Sequence, residues 1–373
     1  MENCQIPPLR IGRHVARIPI IQGGMSVGVS LERLASAVAN EGGIGVIGAA
    51  GIGMKEPDIA TNFLEANGRA LRKSIRRARE LTDGIIGVNI MMALSDYANL
   101  VKISIEERVD LIFIGAGLML RTPESIDIKK LRDSNTSIIP IVSSEKAVKI
   151  LFKYWYNNYG YVPDAIVIEG PMAGGHLGFT KKDIEDPAVS LEEIVSRVVS
   201  YVSPYERRFK KKIPVIAAGG IFTGKDIAKY LELGASGVQM GTRFVATEEC
   251  DASMEFKKTY VESDEEDIVI IKSPVGMLGR AIRNQFLDDV SLGIKKPFSC
   301  IYHCLRTCDF KNSPYCIAKA LVNAKEGDLK NGFAFAGANA YRVERIIPVK
   351  EMINELIEDY KDASGEHPKP FDM

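Results

Sequence analysis

The chain lacks any long hydrophobic run and any excess of charge of one sign. Its 373 residues include 48 Lys plus Arg and 48 Asp plus Glu, so no net field attracts nucleic acid or an anionic membrane. The most apolar run, Leu111–Leu120, is far too short to cross a bilayer, and the N-terminal stretch has no apolar signal-peptide core. We therefore expect a soluble, cytoplasmic protein whose partners are small molecules.

Cysteine is scarce as well. Six cysteines in 373 residues are too few for a disulfide framework, so reduced thiols are expected. Within CIYHCLRTCDFKNSPYC, the i, i+4, i+8 spacing of Cys300, Cys304 and Cys308 predicts one face of a helix, with Cys316 after a turn. Such soft ligands could hold zinc or an iron–sulfur cluster. No C-x2-C pair is present and free cysteine is a frequent core residue, so no metal is assigned.

Eight short β-branched or glycine-ended runs recur along the chain, each followed by a segment with helical periodicity. This alternation is typical of a parallel sheet, and eight βα units in about 245 residues match a (β/α)8 TIM barrel. An open doubly wound sheet would require G-x-G-x-x-G after the first strand, where the chain has QGGMSVG. The predicted strands are Pro19–Gly24, Gly43–Ala49, Gly84–Met91, Asp110–Gly115, Ser137–Ser143, Ala165–Gly170, Ile213–Gly220 and Gly237–Phe244.

Two of the intervening helices carry end signals. Ser30 is the predicted N-cap of a helix over 30–40, and Gly234 is the predicted C-cap of a helix over Thr223–Leu233. A third predicted helix contains the basic run Arg69–Glu80, whose charged face is either solvated or attractive to an acidic carrier protein.

Glycines gather where the last predicted strands end, which is the edge of such a barrel that carries the chemistry. Gly219 and Gly220 follow the seventh strand, and Gly241 and Thr242 fall within the eighth. Their backbone N–H groups could approach a ligand closely, as in the usual phosphate site of these barrels. A turn alone would explain any one glycine, but the set on adjacent strands favours a phosphate.

The motifs PIIQGGM, GVN, AGGHLG, IPVIAAGGI and GVQMGTRFVATEEC resemble, in order, those of the nitronate monooxygenase family, formerly called 2-nitropropane dioxygenases. That resemblance implies an FMN-dependent (β/α)8 enzyme; the flavin-dependent enoyl-acyl-carrier-protein reductases are close relatives with nearly the same motifs. It implies that the flavin ring lies on the backbone around Gly23 to Met25 and that Asn89 bonds its polar edge. The cofactor residues so implied are Gln22, Gly23, Gly24, Met25, Asn89, Ser143, Glu169, Gly174, Gly175, Gly219, Gly220, Gln239, Met240, Gly241 and Thr242.

His176, one of only four histidines, follows Ala-Gly-Gly. A histidine there could simply cap a loop, but the resemblance makes it the catalytic residue, which takes an α-proton from a nitroalkane or donates to an anionic nitronate. Relatives commonly have an acidic residue just before this motif, whereas this chain has Pro171 and Met172.

The sequence after the barrel is charged and irregular. Its GRAIRN segment resembles one that lies over the active-site mouth, where Arg280 or Arg283 would meet an anionic substrate; the resemblance also implies that Gly337, Asn339 and Tyr341 line the substrate pocket. We expect an FMN-binding barrel over 1–248, a smaller, mainly helical lid subdomain over 249–329, a return segment closing the flavin pocket over 330–361, and a flexible tail over 362–373.

The resemblance implies oxidation of alkyl nitronates by O2 to a carbonyl compound and nitrite. The alternative is an NAD(P)H-dependent enoyl-thioester reductase that uses FMN, and a third hypothesis is a barrel that binds FMN without turnover. No nucleic acid or membrane partner is expected, and a homodimer remains an open alternative.

Overall fold

The computed structural model describes residues 6–123 and 135–365. Its strands in chain order are β1 Leu9–Ile11, β2 His14–Ala16, β3 Ile20–Gln22, β4 Ile44–Gly48, β5 Ile85–Met91, β6 Leu111–Gly115, β7 Ser137–Val142, β8 Ile166–Glu169, β9 Gly175–His176, β10 Val215–Ala218, β11 Gly237–Met240, β12 Ile268–Lys272 and β13 Leu278–Ile282.

Eight of these strands form a closed parallel barrel in the order β3-β4-β5-β6-β7-β8-β10-β11, with β11 returning to β3. The predicted TIM barrel is confirmed, and the open doubly wound sheet is ruled out by the closure. Each predicted strand contains one barrel strand, but the eighth ends at Met240 rather than Phe244. Thr242–Val245 instead begins a short helix directly after it.

Two apolar layers hold the barrel together. Inside it, Ile21, Val46 and Phe113 belong to one fully buried cluster, which is why strands such as β4 are buried along their whole length. The N-terminal hairpin β1–β2 supplies Leu9 and Ile11 to the same cluster. Leu9 also lies against Gly237 at the start of β11, so the hairpin seals the end of the barrel opposite the mouth.

The outer layer consists of helices between and after the strands. The helix predicted over Thr223–Leu233 is present as Gly224–Glu232, and Thr223 caps it through a capping box. Its C-cap is Leu233 rather than the predicted Gly234, which follows with a φ of +93°. The Ser30 prediction is wrong, because Asp251 Oδ2 accepts from the N–H of Leu31 (2.8 Å) while Ser30 Oγ accepts from Met25 N (2.8 Å). Within 6–123 and 135–365, the α-helices are Glu32–Asn40, Phe63–Leu81, Tyr97–Glu106, Glu145–Tyr159, Lys181–Glu185, Leu191–Phe209, Gly224–Glu232, Thr242–Val245, Met254–Val261, Gln285–Ser291, Ile317–Lys325 and Val349–Ala363.

The region after the barrel is helical, as expected, but it also contains the hairpin β12–β13, which the sequence did not predict. Strand β13 pairs with β9, so this region forms a three-stranded sheet with the loop after β8. The helix predicted over Cys300, Cys304 and Cys308 is wrong, because residues 294–316 have no regular helix.

The last helix, Val349–Ala363, runs into the start of the predicted tail, whose residues 366–373 lie outside the described residues. Among the described helices, none is both long enough and apolar enough to cross a membrane.

Candidate active site

The floor of the barrel mouth is built where β3 and β5 end. Gly24 lies against Asn89 so closely that a Cβ on Gly24 would overlap the Asn89 Cβ. Asn89 is partly exposed, and its side-chain amide has no hydrogen-bond partner among the described residues. The close approach therefore leaves a free amide at the mouth, where the sequence analysis places the polar edge of a flavin.

The neighbouring residues of β3 and β11 mainly support the backbone. The side chain of Gln22 is fully buried: its Oε1 accepts from Val46 N (2.9 Å) and its Nε2 donates to Gly23 O. Met240 O accepts from Gly23 N at 2.8 Å. Because the Gln22 amide is satisfied inside the barrel, it offers only its backbone to a ligand, and the buried Met240 acts in the same way.

The glycines after β10 and β11 present unused backbone donors. Among the described residues, the N–H groups of Gly219, Gly220, Gly241 and Thr242 donate to no loop, turn or side-chain acceptor. Gly219 and Gly220 have left-handed φ values of +95° and +83°, which favour glycine. The ends of two adjacent strands thus carry N–H groups without an acceptor among the described residues, an arrangement that suits an anion.

The return segment closes over this edge. Gly337 N donates to Thr242 Oγ1 (3.1 Å), and Asn339 Nδ2 donates to Gly220 O (2.6 Å). Both residues therefore lie beside the predicted phosphate residues. Tyr341 is half-buried in the 3-10 turn Ala340–Arg342 that follows.

His176 lies on β9, where it pairs with Gly279 of β13. Its Nε2 is 2.7 Å from Ser273 Oγ, and its ring meets the ring of Phe335 edge-on at 5.0 Å between centroids. Burial lowers the pKa of His176 to about 4 because a charged imidazole would lose its hydration. At neutral pH this imidazole is therefore uncharged.

Ser273 holds the ring of His176 through Nε2. Its side chain is buried, and Val275 N approaches its Oγ at 3.4 Å as a donor. The hydroxyl still has a proton and a second lone pair, so it donates to Nε2 in the tautomer protonated on Nδ1 and accepts from Nε2 in the other tautomer. Sequence reasoning missed Ser273, because a serine in a Ser-Pro turn carries no motif that links it to a histidine 97 positions away.

The two arginines of the GRAIRN segment have different environments. Arg280 is buried and donates from Nη1 to Pro171 O (2.8 Å) and to Ala173 O, so it holds the loop that leads to β9. Burial lowers its pKa. Arg283 is exposed and its Nε donates to Asp288 Oδ1 at 2.9 Å. Neither side chain presents a free guanidinium at the mouth.

Three further polar residues stand at strand ends. Glu169, the last residue of β8, has no hydrogen-bond or ion-pair partner among the described residues, and burial raises the pKa of its carboxyl to about 7. Ser143 follows β7 and lies against Gly178, while Gln239 in β11 lies against Gly23. Met172, at the position where relatives carry an acid, is 44% exposed and lies against Gly220.

Comparisons with known proteins agree with this architecture. The family model described as nitronate monooxygenase matches residues 8–359. Proteins named probable nitronate monooxygenase in Staphylococcus aureus strains JH9 and MSSA476 are 32% and 29% identical over 308 and 299 residues, covering 73% of this chain and 77% of theirs.

Among solved structures, FabK from Thermotoga maritima superposes with a TM-score of 0.71 at 30% identity, covering 93% of this chain and 94% of that one. The nitroalkane oxidase from Streptomyces ansochromogenes gives 0.69 at 22% identity over 94% of this chain and 97% of that one, a likeness of fold. Together with the family match along nearly the whole chain, the barrel and its glycine-lined mouth lead to one conclusion: this chain belongs to the nitronate monooxygenase family of flavin-dependent oxidoreductases.

Proposed function

We propose that the protein binds FMN and oxidises alkyl nitronates with O2 to a carbonyl compound and nitrite. The observation that carries this proposal is the uncharged, half-buried imidazole of His176 at a barrel mouth that also carries free backbone N–H groups. Both features are needed, because the N–H groups would bind the phosphate of the flavin and the imidazole would donate a hydrogen bond to the anionic substrate.

The residues at the mouth fit FMN. The free N–H groups of Gly219, Gly220, Gly241 and Thr242 would bind the phosphate without any paired cation, as backbone nests do. Asn89 and the raised-pKa carboxyl of Glu169 can each donate a hydrogen bond at neutral pH, which suits the carbonyl and nitrogen acceptors on the polar edge of a flavin ring. When bound, the flavin supplies the redox chemistry.

The role of His176 follows from its pKa. An imidazole with a pKa of about 4 is a weak base, so it is poorly suited to removing the α-proton of a neutral nitroalkane. In the tautomer in which Ser273 donates to Nε2, the Nδ1–H of the ring can donate to a nitronate oxygen. We infer that the substrate enters as the preformed anion, and that His176 orients it and stabilises its charge.

A second candidate is reduction of an enoyl thioester with NAD(P)H, and the likeness to FabK from Thermotoga maritima supports it. The basic helix argues against docking of an acidic carrier protein there, because its five arginines already have acidic partners. These ion pairs are Arg69 with Glu56 and Asp58, Arg72 with Glu106 and Glu107, Arg76 with Glu107, Arg77 with Glu80, and Arg79 with Asp110.

One set of assays separates the candidates. The purified, flavin-loaded protein is mixed with a short alkyl nitronate in air without nicotinamide, and oxygen uptake and nitrite are followed; the protein is also given NADH and a crotonyl thioester. Nitrite from the nitronate, and much less from the parent nitroalkane, supports the proposal. Thioester reduction alone would establish the second candidate, and turnover of neither substrate would leave a flavin-binding barrel.

The histidine is tested separately. His176→Ala should retain FMN, because the proposed flavin contacts lie on other residues, but should lose most turnover at saturating nitronate. Mass and absorbance of the released cofactor identify it as FMN and measure its occupancy. Normal turnover in this variant would remove His176 from the mechanism.

A further inference from the structure

Four of the cysteines that the reaction does not use converge on one pocket. Cys300, Cys304, Cys308 and Cys316 are all free thiols and line a cavity of about 240 Å³ next to the barrel mouth. We propose that these four cysteines bind an iron–sulfur cluster of the cubane [4Fe–4S] type. The site shares no residue with the proposed flavin site, so it stands whether or not the proposed reaction does.

The arrangement of the thiols favours a cluster over a single ion. Each of the four cysteines lies within electrostatic range of the other three. Zinc at about 2.3 Å from four sulfurs would require them to be about 3.8 Å apart, yet among the described residues no three Cys, His, Asp or Glu side chains form a group that could hold one metal ion. A cubane attaches each thiolate to a different iron and therefore accepts a wider ring of sulfurs.

The size of the pocket agrees with this assignment. Cysteines that merely fill a core are close-packed, with few voids larger than a water molecule. This cavity is several times the roughly 30 Å³ that one water occupies in the liquid, and it is lined by all four thiols. A non-helical segment, 294–316, wraps the first three cysteines around it, as irregular ligand loops do in iron–sulfur proteins.

The surroundings are those that a cluster requires. Phe298, Phe310 and Ile317 form apolar parts of the pocket lining. Arg306 also lines the pocket, and its positive charge suits the net negative charge of a cluster with four thiolates. Cys316 precedes the helix Ile317–Lys325. The N–H groups of residues 318 and 319 donate to its sulfur, a kind of contact that also tunes cluster potentials.

The segment also packs onto the barrel mouth. Leu305 bridges to Leu94 in the loop after β5, Ser95 N donates to Cys304 O (3.1 Å), and Arg306 N donates to Ala93 O (2.9 Å). The same strand, β5, carries Asn89. The proposed cluster therefore neighbours the proposed flavin site through a single loop.

A chain of aromatic rings makes a second connection. The ring of His176 contacts Phe335 (5.0 Å between centroids), Phe335 contacts Phe333 (5.1 Å), and Phe333 contacts Tyr315 (6.0 Å), which precedes Cys316 in the chain. Loss of the cluster should therefore loosen packing next to His176.

The test measures iron and acid-labile sulfide on the full-length protein purified without oxygen, before and after reconstitution with ferrous iron and sulfide. We expect about four of each per chain, and an electron paramagnetic resonance signal on reduction with dithionite. One zinc per chain without sulfide, about two iron and two sulfide, or no iron after reconstitution would each overturn the proposal.

Variants locate the ligands. Cys304→Ser and Cys300→Ser should each lose most of the iron and sulfide. Cys250→Ser is the matched control, because Cys250 is a buried free thiol that bonds Val29 O outside the pocket; it should load as the parent does. Circular dichroism checks that each variant is folded, and full iron and sulfide in a folded Cys304→Ser protein would contradict the assignment.

Discussion

The protonation of His176 can be tested directly. Its pKa of about 4, against about 6.5 for an unperturbed histidine, corresponds to about 2.5 pH units, or about 3 kcal/mol at 1.36 kcal/mol per unit. The unfolded chain takes up this proton near pH 6.5 and the folded protein only near pH 4. The stability that His176 contributes is therefore complete above pH 6.5 and is lost as the pH falls from 6.5 to 4.

The size of the effect at one pH follows. A pH of 5.0 lies about 1.5 units below the pKa of the histidine in the unfolded chain but above its pKa in the folded protein. Protonation therefore stabilises the unfolded state and hardly affects the folded one, so the free energy of unfolding is about 2 kcal/mol lower than at pH 7.5. Glu169 and Asp251, whose pKa values burial raises to about 7 and about 6, act in the opposite direction. Their contributions are common to the parent and a His176→Gln variant, so they cancel in the difference between the two proteins.

Two measurements check this reasoning. With only four histidines in the chain, carbon-13-labelled imidazoles give four resonances, and the one absent from His176→Gln should titrate near pH 4. Urea unfolding at pH 7.5 and 5.0 should show the parent losing about 2 kcal/mol relative to that variant. A midpoint at pH 6 or above, or a stability difference that does not change with pH, would refute the argument that burial keeps this imidazole neutral.

Three further predictions concern single contacts. Ser273→Ala removes the hydroxyl that bonds the imidazole, so kcat should fall about tenfold with flavin content unchanged; an unaltered kcat and pH profile would exclude this positioning role. Gly220→Ala would place a Cβ 2.8 Å from a methionine Cβ and should lose most bound flavin. The control is Gly276→Ala, which has a similar φ but open space around it; it should bear only about 1–2 kcal/mol of backbone strain and keep its flavin. Equal flavin loss in the two variants would contradict a role of Gly220 in binding the phosphate. Arg280→Met should lower the free energy of unfolding by about 2–3 kcal/mol and weaken turnover. Arg283→Met, at the exposed ion pair, should change the free energy of unfolding by less than about 0.5 kcal/mol. Similar losses for the two variants in thermal or urea unfolding would argue against the buried contact of Arg280 with the loop.

The barrel was predictable because its signals are local. Parallel strands buried on both faces appear in the sequence as short apolar runs, and β4 is buried at every position. Glycines such as Gly220 are required by the backbone at their own position. Such features need no knowledge of distant contacts, so the strands and the glycine-lined edge could be deduced from the sequence.

The failures involve partners far apart in the chain. The helix at Glu32 is capped by Asp251, 220 positions after Leu31, so a local capping rule selected Ser30 instead. The cysteine segment has helical spacing, but Cys304 O and Arg306 N bond to the loop after β5 rather than to their own neighbours. The contact of Ser273 with the histidine depends on the pairing of β9 with β13, which no local pattern encodes.

The pairing of β9 with β13, and the return segment that follows, have a consequence for biosynthesis. All eight strands of the barrel have been translated once Met240 leaves the ribosome. The strand that supports the histidine and the residues that close over Gly220 emerge much later, at positions 278–282 and 337–339. A nascent chain therefore completes its barrel strands well before it can retain a cofactor. Truncation before Gly337 should leave a barrel that releases its flavin, because the cover over the mouth is lost.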